Sequence, residues 1–310
     1  MANVVARLLD PVALLRTFFL AASALILFIQ AVPPLKCRFL AYGSRATHQT
    51  SDEPPQSSQK PRTQSVDQFL DDLASFRIPH NYFTHFYILS VLCSLFWGYQ
   101  LWPLIGLTPW RTVDATVKAV GKVQIVWFLM LLQGTRRLLE SYLYTSKSKS
   151  QMWIGHYILG LVFYLTVNVA IWIEITNTLR NGRRASDPTF ERKLPFLTSA
   201  ILLAHAGQHV YHSYLYRLRT ESVGPTYKLP SHPLFPNLLC PHYTCEVVIY
   251  LLLSFLAAPE GRLVNWTLAS ATVFVAVNLG VTAGATKHWY AERFGAEMVK
   301  GRKRMIPWIW

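Results

Sequence analysis

Long apolar runs recur along the whole chain, and a single soluble core cannot absorb them. A helix that crosses the hydrocarbon of a bilayer needs about 20 mostly apolar residues. Seven runs approach or reach that length: Val12–Val32, Phe83–Leu107, Ala119–Leu132, Trp153–Ile175, Leu194–Tyr216, Tyr243–Ala258 and Leu263–Ala283. In lipid every backbone N–H and C=O must be paired inside the chain, so such runs are helices. The sequence therefore predicts an all-α polytopic membrane protein with about seven transmembrane helices. Of its 310 residues, 52% are hydrophobic and only 15% charged, in keeping with that class. Trp102, Trp110, Trp153, Trp172 and Tyr216 stand near the ends of runs, where amphipathic rings favour the headgroup level.

The formal charge of +14 invites a nucleic-acid reading. Lys and Arg, however, lie between apolar runs and build no continuous basic face with interleaved aromatics, so no nucleic-acid partner is expected. With seven spans, most basic residues outside them fall on one side, which places that side and the C-terminal tail in the cytosol. Arg180, Arg183, Arg184, Arg192 and Lys193 fall on the other. Residues 1–43 are expected to form an N-terminal membrane anchor, retained because Val12–Val32 is long for a signal core and Pro33-Pro34 makes no small-residue cleavage site. Residues 44–68, rich in Ser, Gln, Thr, Pro and charge, read as a flexible cytosolic loop. Residues 69–310 form the main membrane domain, opening with an amphipathic stretch, Phe69 to Phe76, suited to the membrane surface. Cys37, Cys93, Cys240 and Cys245 fit neither a disulfide framework nor zinc spacing. The sequon at Asn265 sits at the lip of a span and is expected to stay unmodified.

Polar side chains among apolar runs are costly to bury, so they are paired or functional. His205, His209 and His212, spaced four and three apart, share one helix face. A metal centre, a polar binding face and mutual satisfaction with neighbouring helices are the three readings. With no second histidine box, no metal is expected. Glu246, just inside an apolar run, needs a partner: a ligand, a nearby His or a helix N-terminus. In the tail, Lys287-His288-Trp289-Tyr290 and Lys300–Trp308 set positive charge beside aromatics, which suits the phosphates of a nucleotide or of anionic lipid. Neither a G-x-G-x-x-G after a strand nor a G-x-x-x-x-G-K-[ST] occurs, so a bound dinucleotide would not use a Rossmann fold.

Taken in order, these clusters resemble the steroid 5-alpha-reductase family, and within it the polyprenol reductase branch. The match runs from Leu229-Pro230 through Pro241-His242-Tyr243-x-x-Glu246, then Arg302-Lys303-x-x-Ile306-Pro307. Three more motifs join it: Phe69-Leu70-Asp71-Asp72-Leu73-x-Ser75-Phe76-x-Ile78-Pro79, Gln133-Gly134-x-Arg136-Arg137-Leu138-x-Glu140, and Gln208-x-x-x-His212 ahead of Leu218-Arg219. The resemblance covers Phe69 to the end. It implies an integral reductase of the endoplasmic reticulum membrane whose helices enclose NADPH near the cytosolic side. By the same resemblance, Gln208, His212, Arg219, Tyr227, His242, Glu246, His288 and Tyr290 would hold the cofactor. Asp72 would donate a hydrogen bond to the substrate carbonyl, and Arg137 would stand near nicotinamide and substrate. Gly134 replaces the tyrosine that assists carbonyl polarisation in the steroid enzymes, which points to a polyprenoid. His288 stands two residues before Tyr290, closer than the family pattern. The implied function is NADPH-dependent reduction of the alpha-isoprene double bond of a polyprenoid, supplying dolichol for N-glycosylation.

Chemistry adds a constraint of its own. Hydride delivered to an isolated alkene leaves an unstabilised carbanion, whereas a conjugated carbonyl takes the charge as an enolate that a positioned donor can stabilise. The aldehyde is thus the expected acceptor, with Asp72 protonated by burial to serve as donor. Two alternatives share the pattern: a trans-2-enoyl-CoA reductase, and a lipid or isoprenylcysteine methyltransferase binding S-adenosylmethionine.

Overall fold

The computed structural model describes residues 10–40, 64–106, 115–144, 150–175, 188–221, 227–259 and 261–307. Each of the seven apolar runs is carried for most of its length by a helix. These are α1 (Pro11–Ala31), α4 (Phe83–Gly106), α5 (Ala115–Leu143), α6 (Ile154–Ala170), α7 (Pro188–Thr220), α8 (Pro241–Leu256) and α9 (Trp266–Phe294). Three helical stretches are long and apolar enough to cross a membrane by length and composition: Pro11–Ala31, Ile154–Ile175 and Trp266–Phe294. Among the described residues there are also three short α-helices: α2 (Pro33–Phe39), α3 (Gln64–Ser75) and α10 (Ala296–Lys300). The protein is an all-α membrane protein. Among the described residues the one sheet is a small ladder, β1 (Arg77–Pro79) antiparallel to β2 (Gln151–Trp153), with Ile78 opposite Met152.

Local chemistry explains the helix ends. Asp10 caps α1 by accepting from Val12 N, with Pro11 at the first helical position. Asn265 caps α9 by accepting from Leu268 N, and its amide donates to the carbonyls of Ala170 and Ala257. The sequon asparagine is therefore fully buried and committed to the fold. Gly295, at φ +93°, ends α9 in a backbone conformation that side chains with a Cβ disfavour. α5 runs well past the apolar stretch Ala119–Leu132, because the polar residues beyond it find partners on other helices, as described below.

α1 packs on α9, α9 on α8, and α8 on α7; α4 packs on both α5 and α6, and α6 touches α9 and α1. The two groups share one apolar core, which includes Phe19, Val126, Phe163, Ile249, Leu253 and Leu268. Phe163 is its hub. Its ring meets Phe274 at 5.2 Å, Tyr250 at 5.8 Å and Phe19 at 6.2 Å. Among helices in lipid this close fit acts through dispersion, since no water is expelled by it. At one end of the bundle Arg16 of α1 bonds Glu174 at 2.8 Å, and Glu174 accepts from Thr267 N at the start of α9. That carboxylate also faces the positive end of the helix dipole.

The opposite end carries α2, α3 and the β-ladder. Residues 41–63, most of the segment read as a loop, lie outside the described residues; its last residues, from Gln64, already belong to α3. Arg38 of α2 holds α3 through Asp71 at 2.5 Å and Asp67 at 3.2 Å. The hydrogen bond from Arg38 keeps the Asp71 carboxyl below its ordinary range and raises Arg38 in turn. Val66, Phe69 and Leu73, continued by Phe76, stay exposed on one face of α3, which is the amphipathic pattern expected at a membrane surface. The basic residues Arg180, Arg183 and Arg184 lie outside the described residues.

Candidate active site

α5, α7 and α9 finish at the end where α4, α6 and α8 begin, and there the polar residues meet. α5 brings Gln133, Arg136, Arg137 and Glu140 along one face, at spacings of three and four. α7 brings His205, Gln208, His209 and His212 along a matching face. Glu140, buried, is the hub of the pairing. It accepts from Arg136 and from Arg137 at 2.6 Å each, and lies 2.9 Å from His209 Nδ1 and 2.7 Å from His212 Nδ1. The three histidines do share a face, and it is turned to α5: His205 Nδ1 accepts from Arg136 Nε at 3.3 Å. Among the described residues no group of three or more His, Cys, Asp or Glu is arranged to hold a metal ion.

A second hub is Glu246, near the start of α8. Its carboxylate accepts from Gln133 Nε2 at 2.9 Å and from Gln208 Nε2, whose amide also reaches the His242 carbonyl at 3.2 Å. Both glutamines turn their oxygens to Arg136. The partner that an apolar start of α8 demanded is thus a pair of amides from α5 and α7. They tie Glu246 to Arg136 without direct contact, a charge-assisted arrangement that holds buried charge. His242 stacks on Tyr211 at 5.3 Å, and its buried Nδ1 has no hydrogen-bond partner among the described residues.

Arg137 connects this network to open space. Nη1 reaches Glu140 and lies 2.8 Å from His212 Nδ1, while Nη2 donates to Tyr87 Oη of α4 at 2.6 Å. Beyond it opens a cavity of about 600 Å³. Arg137, His212, Arg219, Tyr227 and Tyr290, all singled out in the sequence, line it, along with Glu140, Tyr144, Tyr216 and Lys228. Tyr227 is held by cations, with Arg293 5.1 Å and Arg219 5.9 Å from its ring centre, and meets Trp289 edge-on at 5.0 Å. Three cationic residues and four tyrosines around one opening suit a ligand that carries both phosphates and rings. A nicotinamide dinucleotide meets that description. A sulfonium cofactor without phosphates does not.

Not every expected residue joins the cavity. Gln208, His242 and Glu246 stand behind its lining, as the support of Arg136. His288 is 77% exposed and pairs with Glu292 at 3.0 Å, outside the lining. Asp72 is exposed on α3, also outside it, so the burial expected to protonate it is absent in this structure. The basic tail is also spent differently. Arg302 donates to the Pro230 carbonyl, Lys287 donates to the Arg302 carbonyl at 2.6 Å, and Leu239 N and Cys240 N donate to the carbonyls of Lys303 and Arg304 at 3.0 and 2.9 Å. The last residues therefore strap the loop that leads into α8. Tyr87, Lys228, Tyr144 and Tyr216 were missed in the sequence, because nothing local separates them from interface aromatics and ordinary loop cations.

A family model described as 3-oxo-5-alpha-steroid 4-dehydrogenase matches residues 151–310. Among curated proteins, the chain is 26% identical over 284 residues to "Polyprenal reductase" of Saccharomyces cerevisiae, covering 90% of this chain and 87% of that protein. It is 25% identical over 258 residues to "Polyprenal reductase" of Homo sapiens, covering 76% and 79%. To "Polyprenal reductase 1" of Oryza sativa subsp. indica it is 25% identical over 291 residues, covering 76% and 80%. With the family model spanning more than half of it, the chain belongs to the 3-oxo-5-alpha-steroid 4-dehydrogenase family, that of the steroid 5-alpha-reductases.

Proposed function

We propose that this protein is an NADPH-dependent polyprenal reductase of the endoplasmic reticulum membrane. It saturates the alpha-isoprene double bond of a polyprenoid enal and so supports dolichol synthesis for N-glycosylation. In this reading all seven long helices cross the bilayer, residues 1–43 anchor the chain, residues 69–310 form the reductase domain, and the C-terminus is cytosolic. The observation that carries it is the cavity at the bundle end, where Arg137, Arg219 and Lys228 stand among tyrosines. The names of the relatives supply the substrate class.

Bound NADPH would supply hydride for the carbon beta to the carbonyl. Arg219, Lys228, Tyr227 and Tyr290 would hold its phosphates and rings; His212 steadies Arg137, which lines the cavity, and Gln208, Glu246 and the His242 carbonyl steady Arg136 behind it. Arg137 stabilises the negative charge that develops on the acceptor oxygen. Tyr87 acts beside it. A guanidinium only donates, so Tyr87 accepts from Arg137 and keeps its own proton for a carbonyl oxygen. Asp72 takes the donor role expected of it only once a bound acceptor covers it. Turnover that survives Asp72→Leu and is lost in Tyr87→Phe assigns the donation to Tyr87.

The deciding experiment uses the purified full chain in detergent. Titration with NADPH and with S-adenosylmethionine is followed by turnover with a polyprenal and with a trans-2-enoyl-CoA. NADPH binding and reduction of the polyprenal are expected. Binding of S-adenosylmethionine alone overturns the reading, and turnover of the thioester alone moves the chain to the enoyl-CoA reductases.

A further inference from the structure

A second hollow, of about 480 Å³, opens between α4, α5 and α7, within the range of roughly 300–1,000 Å³ found for small-molecule sites. Its walls include Ile125, Phe128 and Leu129 of α5 and Leu202 of α7. Trp127 closes one side. Its ring packs so tightly on Gly98 that an added Cβ there would stand 2.6 Å away, and its Nε1 is fixed on the Ser94 carbonyl at 2.7 Å. Gln124 and Thr198 are the polar side chains in the lining, which among the described residues holds no charged group to bind a phosphate.

Position links this hollow to the site. Gln133 follows Leu129 by one turn on α5, and His205 follows Leu202 by one turn on α7, so hollow and network lie along one seam, separated by about 5–6 Å of helical rise. Arg136 and His205 bond across the seam at the network end. Phe128 and Leu202 are 56% and 44% exposed on helices read as spanning, so the hollow is open sideways to lipid.

We infer that this hollow receives the hydrocarbon tail of the acceptor, the isoprene units beyond the first two at the reacting head, entering from the bilayer between α5 and α7. The inference rests on the reductase reading above and adds the place where chain length is sensed. An apolar tail gains dispersion contacts with a wall of this shape, while its head stays at the polar end of the same seam.

The test fills the hollow. Leu202→Trp and Thr198→Trp are compared with Leu203→Trp, whose side chain lies outside the lining and is 72% exposed. Each is assayed with NADPH against a short enal of two isoprene units and against a long polyprenal. For both filling variants, kcat/KM for the long acceptor is expected to fall by about tenfold or more. Short-enal turnover and the Kd for NADPH stay at the wild-type value, and L203W changes none of these. Equal losses on both acceptors, or no loss on the long one, overturn the inference while the reductase reading stands. A wild-type chain that binds NADPH and reduces neither enal overturns the reductase reading itself.

Discussion

The middle of the bundle and its loop-strapped end are built on opposite principles. Around Phe163 the contacts are many, apolar and individually small, so each can be trimmed with a modest loss. Around Glu140 and Glu246 they are few, directional and charged, and Glu140, Glu246, Arg136, Arg137, Gln133 and Gln208 each serve two or more partners. Removing one member there leaves buried charge without compensation, which is far more costly than a missing methyl group. The first region gives the protein its shape. The second gives that shape a charged opening, and it is held in tension by groups that would individually prefer water.

The sharpest way to break this contrast is Glu140→Leu. Two guanidinium groups lose their shared carboxylate, and thermal unfolding in detergent should show a loss of roughly 3–5 kcal/mol together with loss of turnover. A shift no larger than that of a core methyl deletion would erase the distinction. Next comes Lys228→Ala, which removes a cation from the cavity lining. NADPH binding is expected to weaken by about tenfold, in line with a charge-assisted hydrogen bond, with no change in unfolding temperature. Ile249→Val lies fully buried in the apolar region and should reduce stability by about 0.5–1.5 kcal/mol while leaving turnover intact. The smallest effect is expected at the exposed clamp of α3. Asp71 is depressed in the folded state by Arg38, so its contribution is present above the ordinary carboxylate range, about pH 4, and fades as pH falls through the lower folded value. Amide exchange confined to α3 should quicken under such acid, and Asp71→Asn should remove that dependence.

How much of this was legible in the sequence follows from the range over which each signal acts. Helices announce themselves locally, so each of the seven apolar runs lies mostly in a helix. The spacing of His205, His209 and His212 fixed their common face, since helical periodicity needs no tertiary information. What they face did not follow, because Arg136 and Glu140 lie some seventy residues away on α5 and were visible only as parts of a motif. Glu246 was recognised as needing a partner from burial cost alone, yet its partners are amides from two other helices, which no local pattern specifies. The tail misled in the opposite way. Its charges suggested phosphate binding, but Arg302 and Lys287 are used on backbone carbonyls of a loop. Asp72 marks the remaining gap: the motif placed it in the reaction, and the structure leaves it exposed on α3.

The strap formed by Arg302 to Met305 is written mostly in the main chain. Thr244 at the head of α8 bonds the Met305 carbonyl, beside the backbone bonds that join residues 237–240 to 303–304. Every residue but proline carries such a donor and acceptor, so side-chain identity along 303–305 is free to drift while the path of the backbone is kept. Proline at position 303 is the exception, because it deletes the N–H that Lys303 gives to the Asn237 carbonyl at 2.7 Å and so unfastens the head of α8.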